Sequence, residues 1–139
     1  MREQTLRDFL VGDVTLAELT RDLQGAIVQT GQDSYQHPII DMAEGFTVRP
    51  EHLIRLCDAV LQGGLSAPSL EPIGFCLLAS DRFDWADAEG SEVIVVTLND
   101  WASPQANYPL TRATVAKFRH RLLTGEDTFT KADTRSASA

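Results

Sequence analysis

No membrane-spanning run, no metal-ligand spacing and very little cysteine mark this sequence, and each shortage removes a class of function. Cys57 and Cys76 are the only two cysteines. Both lie in apolar surroundings, Leu56-Cys57-Asp58-Ala59-Val60 and Phe75-Cys76-Leu77-Leu78, so they read as reduced core thiols of a cytoplasmic protein. The start, Met1-Arg2-Glu3-Gln4-Thr5, enters an amphipathic pattern directly and resembles no secretory leader. Apolar runs stay far short of a bilayer span. Of the three histidines, His37, His52 and His120, none has a second ligand at zinc spacing, which leaves no metal or other cofactor to expect. Cys57 and His52 are the nearest approach to a nucleophile and base, but an apolar helix face around the thiol argues for packing instead. Gly63-Gly64 follows a helical pattern instead of opening one, so it is a turn and not a phosphate cradle. The reading is non-enzymatic.

Basic residues are also few. Lys and Arg number 12 against 20 for Asp and Glu, a formal net charge of -8. Nucleic-acid backbones require clustered cations, so this balance points away from them and toward a basic protein partner. What is present is ample hydrophobic material, 43% of 139 residues. A chain of this size can bury about two-thirds of its extended surface, enough for one core without staples. One helical domain over residues 1–130 is expected, with a disordered tail over 131–139 rich in Ser, Thr and Ala.

Periodicity and capping signals predict an all-α bundle of five or six helices. Leu6, Phe9 and Leu10 share a face over Glu3–Leu10. Thr15 caps the next helix, with Glu18 completing a capping box and Val14 and Leu19 placed as a hydrophobic staple. Leu16, Leu19, Leu23, Ala26 and Ile27 form its stripe, and Gly31 stops it. Gln32 to Gly45 reads as a loop with a helical turn at Pro38–Met42. Pro50 opens a third helix whose buried side is Leu53, Leu56, Cys57, Val60 and Leu61. Leu70 to Ser80 is apolar nearly all round, as in a central helix. Thr111 caps the last helix, Val115, Phe118 and Leu122 face inward, and Gly125 ends it. Short strands are possible at two places, Phe46–Val48 and Val93–Thr97. The second has β-branched content but no evident partner, and Val93, Val96, Leu98 and Trp101 also suit a helix, which is favoured.

Charge is unevenly distributed. Between Asp81 and Asp100 six acids (Asp81, Asp84, Asp87, Glu89, Glu92 and Asp100) face one base, Arg82, so -5 of the net -8 falls in this window. The spacing does not fit a calcium loop. The last helix carries Arg112, Lys117, Arg119 and Arg121 with no acid between Thr111 and Thr124. Either these are solvated faces that pair loosely with each other, or the acids form a docking patch. The candidate partner-binding residues are Asp81, Phe83, Asp84, Trp85, Asp87, Glu89 and Glu92, aromatic anchors ringed by carboxylates.

Thr15-Leu16-Ala17-Glu18-Leu19 after Phe9-Leu10-Val11-Gly12-Asp13 resembles the opening of small helical immunity proteins of bacterial toxin systems, of the colicin D and contact-dependent-inhibition type. Asn99-Asp100-Trp101-Ala102-Ser103-Pro104, Asn107-Tyr108-Pro109-Leu110-Thr111 and Leu122-Leu123-Thr124-Gly125 are similar to the ends of bacterial proteins of that style. The resemblance implies a helical, non-enzymatic protein that binds and blocks a cognate toxin, often a nuclease. It transfers no binding residue; the acidic patch comes from charge alone. The other readings are a general interaction or adaptor domain of phage-related type, and a small hydrolase built on the acidic cluster.

Overall fold

A computed structural model describes residues 2–29, 45–86, 88–131 and 133, with the side chains of 24–29 left aside. Among these residues the chain forms six α-helices, α1 (Glu3–Leu10), α2 (Leu16–Gln29), α3 (Pro50–Leu61), α4 (Leu70–Ala79), α5 (Ser91–Ala102) and α6 (Arg112–Thr124). A two-residue parallel ladder joins β1 (Phe46–Thr47) to β2 (Phe83–Asp84). The all-α bundle with a pair of short strands is therefore the observed architecture. Ala26, Ile27, Gly31 and the expected turn at Pro38–Met42 lie outside the residues whose side chains or backbone are described.

The threonine caps act where the sequence places them. Thr15 Oγ1 accepts the Glu18 N–H at 3.3 Å, which occupies one orphan donor of the α2 N-terminus. At α6 the box is built from two threonines: Thr114 N–H donates to Thr111 Oγ1 at 3.2 Å and Thr111 N–H to Thr114 Oγ1 at 3.0 Å. Gly125 ends α6 with φ of 79°, a left-handed conformation that an L side chain resists. Arg55 seals α1, its Nε donating to the Phe9 carbonyl at 2.8 Å while its guanidinium lies 5.0 Å from the Phe9 ring centre.

Two helix pairs, α3 with α6 and α4 with α5, make the most extensive contacts. The second pair explains why Val93–Thr97 is helical. Ile94, Leu98 and Trp101 are fully buried at i, i+4 and i+7, and the crossing is so close that a Cβ at Gly74 would stand 2.9 Å from Trp101 Cβ and 3.2 Å from the Leu98 carbonyl oxygen. A strand there would lose this side-by-side packing and would have no ladder partner. Leu6, Leu19, Leu53, Leu56, Ile73 and Phe118 complete the core together with Trp101, its largest fully buried side chain.

The folded unit extends past residue 130. Asp133 accepts a bond from Lys117 Nζ at 2.7 Å, and Phe129 packs against the core. Asp133 falls within the 131–139 stretch expected as a tail, and Lys117 holds it to α6. Residues 134–139 lie outside the described residues.

Candidate partner-binding surface

The acidic segment is held at one end by backbone pairing. Phe46 N–H donates to the Arg82 carbonyl at 2.6 Å and Val48 N–H to the Asp84 carbonyl at 2.8 Å. Strand alternation then sends Phe83 inward and Asp84 to water. Phe83 is buried, 4% exposed, and meets the Phe46 ring edge-on at 6.1 Å between centroids. It is a core residue, which corrects the expectation of a surface anchor: paired strands leave it no route outward. At the other end Gly90 adopts φ of 83°, and a Cβ there would come within 2.9 Å of Pro50 Cγ, so the turn into α5 needs glycine on both counts.

Along this segment and just beyond its two fixed ends Asp81, Asp84, Glu89 and Glu92 are exposed, and Trp85 is half-buried against the core. Asp87 lies outside the described residues. None of these four carboxylates forms an ion pair with another described residue. Beside Glu89 and Gly90 opens a cleft of about 510 Å³ that Glu51, Ile54, Val93 and Leu123 also line. Leu123 is 60% exposed at its edge.

The cations of α6 are engaged elsewhere. Arg119 Nε meets Asp58 at 2.6 Å, Lys117 Nζ meets Asp133 at 2.7 Å, and Arg112 donates to the Val60 carbonyl at 3.3 Å. Arg121 is buried and donates through Nη2 to Asp100 at 2.8 Å and to Thr97 Oγ1 at 3.1 Å. Burial raises the Asp100 carboxyl above its ordinary range, against the pull of the guanidinium. Asp100 therefore leaves the acidic window and joins the interior. The signal for both was helical spacing: Phe118, Arg121 and Leu122 stand at i, i+3 and i+4, as do Thr97, Asp100 and Trp101.

Nothing recommends thiol chemistry at Cys57. Burial pushes its thiol up to about 12, the neighbouring Asp58 carboxylate adding to the effect, so the nucleophilic thiolate is scarce at neutral pH. Among the described residues no cluster of His, Cys, Asp and Glu is placed to hold a metal ion, and no helix is long and apolar enough to cross a membrane. No known protein family, curated protein or solved structure matches this chain.

Proposed function

We propose that this chain is a non-enzymatic, immunity-like protein that binds a basic protein partner, a toxin domain of the nuclease type, through the acidic surface from Asp81 to Glu92. The observation that carries the reading is the uncompensated state of Asp81, Asp84, Glu89 and Glu92, while three of the four α6 cations are tied to carboxylates. A fixed loop of open carboxylates attracts a cationic surface at long range and raises its association rate. The half-buried Trp85 and the neighbouring cleft with Ile54, Val93 and Leu123 supply apolar area on which a docked partner can settle. A nuclease domain presents clustered Lys and Arg for phosphate contact, and a carboxylate surface imitates that substrate.

The test is isolation of the partner from the source cell, followed by binding kinetics. Asp84→Asn with Glu89→Gln should slow association and flatten its salt dependence without altering the fold, since exposed charges are screened beyond about 8 Å at physiological ionic strength. Trp85→Ala should speed dissociation instead. Kinetics unchanged in all of these variants would remove the segment from the interface.

A further inference from the structure

After α6 the described residues 126–131 and 133 lie against it as a strap held through side chains. Three of its backbone donors are satisfied locally: Glu126 N–H by Thr124 Oγ1, Phe129 N–H by Asp127 Oδ1 and Thr130 N–H by Asp133 Oδ2. Among the described residues no backbone ladder ties it to the body. Side chains hold it. The Phe129 ring stacks on Tyr108 at 4.1 Å and 24°, and lies 4.8 Å from Phe118. The Arg121 guanidinium stands 5.2 Å from the Phe129 centroid, and Asp127 approaches Arg121 Nη1 at 3.7 Å. Lys117 completes the grip on Asp133.

This arrangement has the form of a ligand in a receptor site. The site consists of two aromatic walls, Tyr108 and Phe118, and one almost fully buried arginine. The Arg121–Asp127 contact is long compared with the 2.8 Å bond to Asp100, and Asp127 is more than half exposed. Among the described residues Arg121 Nε has no acceptor, so the guanidinium retains donor capacity for a better-placed carboxylate. The Asp127 side chain folds onto the Phe129 amide, a local turn that presents carboxylate and ring together. Gly125, with φ of 79° and nothing within 4 Å of a Cβ position, gives the strap a hinge. Departure of the strap would break its ring contacts and the contacts of Arg121 with Asp127, Lys117 with Asp133 and His120 with Glu126, but no backbone ladder to the body among the described residues.

We infer that Tyr108, Phe118 and Arg121 form a peptide-binding site for acidic–aromatic segments, with an Asp two residues before a Phe, and that Asp127 and Phe129 fill it as a reversible intramolecular ligand. The ligand class follows from the occupant: a carboxylate for the arginine and a flat ring for the aromatic walls. The strap tethered by one glycine competes at high effective concentration, so an external segment binds only in proportion to the open fraction. This inference is independent of the acidic surface.

The probe is a fluorescein-labelled peptide with the sequence of Gly125 to Asp133, followed by fluorescence anisotropy on the full chain. Phe129→Ala should bind it saturably, and the wild type at least about tenfold more weakly, as a strap closed about nine-tenths of the time requires. A control peptide carrying Asp127→Asn and Phe129→Ala should not bind. Circular dichroism checks that the protein variant is folded. Should it fail to fold, Asp127→Asn with Asp133→Asn loosens the ion pairs with Arg121 and Lys117 while leaving every ring in place, and the same contrast is expected. Equal binding by wild type and variant, or binding by neither, overturns the proposal.

Discussion

Arg121 and Asp100 form an ion pair across α6 and α5 at 2.8 Å, with side chains only 4% and 10% exposed. Each comes from a stretch dominated by its own charge sign, and the Arg121 guanidinium lies 5.3 Å from the centre of the buried Phe118 ring. Such a pair adds little net stability compared with apolar residues of equal volume, but removal of one partner strands the other. Asp100→Ala should therefore cost about 3–5 kcal/mol in urea denaturation. Asp100→Asn should cost less, since its carbonyl still accepts from Nη2. Combining Asp100→Leu with Arg121→Met should recover most of the loss. If Asp100→Ala alone is near neutral, the pair is hydrated and its burial has been misread.

The α4–α5 crossing makes a second prediction, one in which local propensity and packing oppose each other. Alanine is favoured over glycine in a helix interior by about 1 kcal/mol. At Gly74, however, the added Cβ meets Trp101 Cβ at 2.9 Å and backbone atoms of Leu98 and Ala102 at 3.2 and 3.3 Å. Backbone cannot rotate aside, so the helices must separate. Gly74→Ala should destabilise by about 1–3 kcal/mol in spite of the better propensity. A stabilised variant would show that the crossing is looser than this geometry.

The rotation of α6 is checked by neighbouring residues. Phe118 is fully buried between Trp101 and Tyr108, edge-on to both at 6.2 and 6.3 Å. Phe118→Ala should cost about 3–5 kcal/mol. Lys117 points toward Asp133 at the surface, and Lys117→Ala should cost less than about 1 kcal/mol. Comparable losses from the two substitutions would place the helix in a different rotation.

Helices were legible in the sequence because their signals are local. Thr15, Pro50, Thr111 and Gly125 each act on backbone groups within four residues, and apolar spacing at i, i+3 and i+4 marks the buried faces. The β1–β2 ladder was only half legible. Phe46–Val48 has strand character, but its partner Phe83–Asp84 is two residues inside an acidic run, and pairing over 37 positions leaves no local trace. The acidic surface was misread at Phe83 for the same reason: an aromatic among carboxylates looks alike whether the strand turns it in or out. Arg121 and Asp100 were counted as surface charges because charge drew attention away from their position on apolar stripes. Phe129 was not legible as a packing residue, because a lone aromatic in a polar stretch shows no periodicity and its partners Tyr108 and Phe118 are remote in sequence.

The N-terminus of α3 gives a pH prediction. Arg49 N–H donates to His52 Nδ1 at 2.9 Å, so the ring must be neutral there with its proton on Nε2. Burial lowers the His52 pKa from 6.5, Glu51 opposing and Arg49 assisting. In the window between the folded value and 6.5 the unfolded chain binds more protons at this residue than the folded one. Stability from the cap is therefore complete above 6.5 and declines as pH falls through the folded value. Protonation places a hydrogen on Nδ1 and turns the acceptor into a donor facing another donor. Gln at this position can accept the same N–H without titrating. Thermal midpoints measured from about pH 8 to about pH 5, the range in which histidine changes charge, should fall more steeply for the wild type than for His52→Gln. Parallel curves would mean that the ring does not cap α3 in solution, and that Arg49 N–H is satisfied by water.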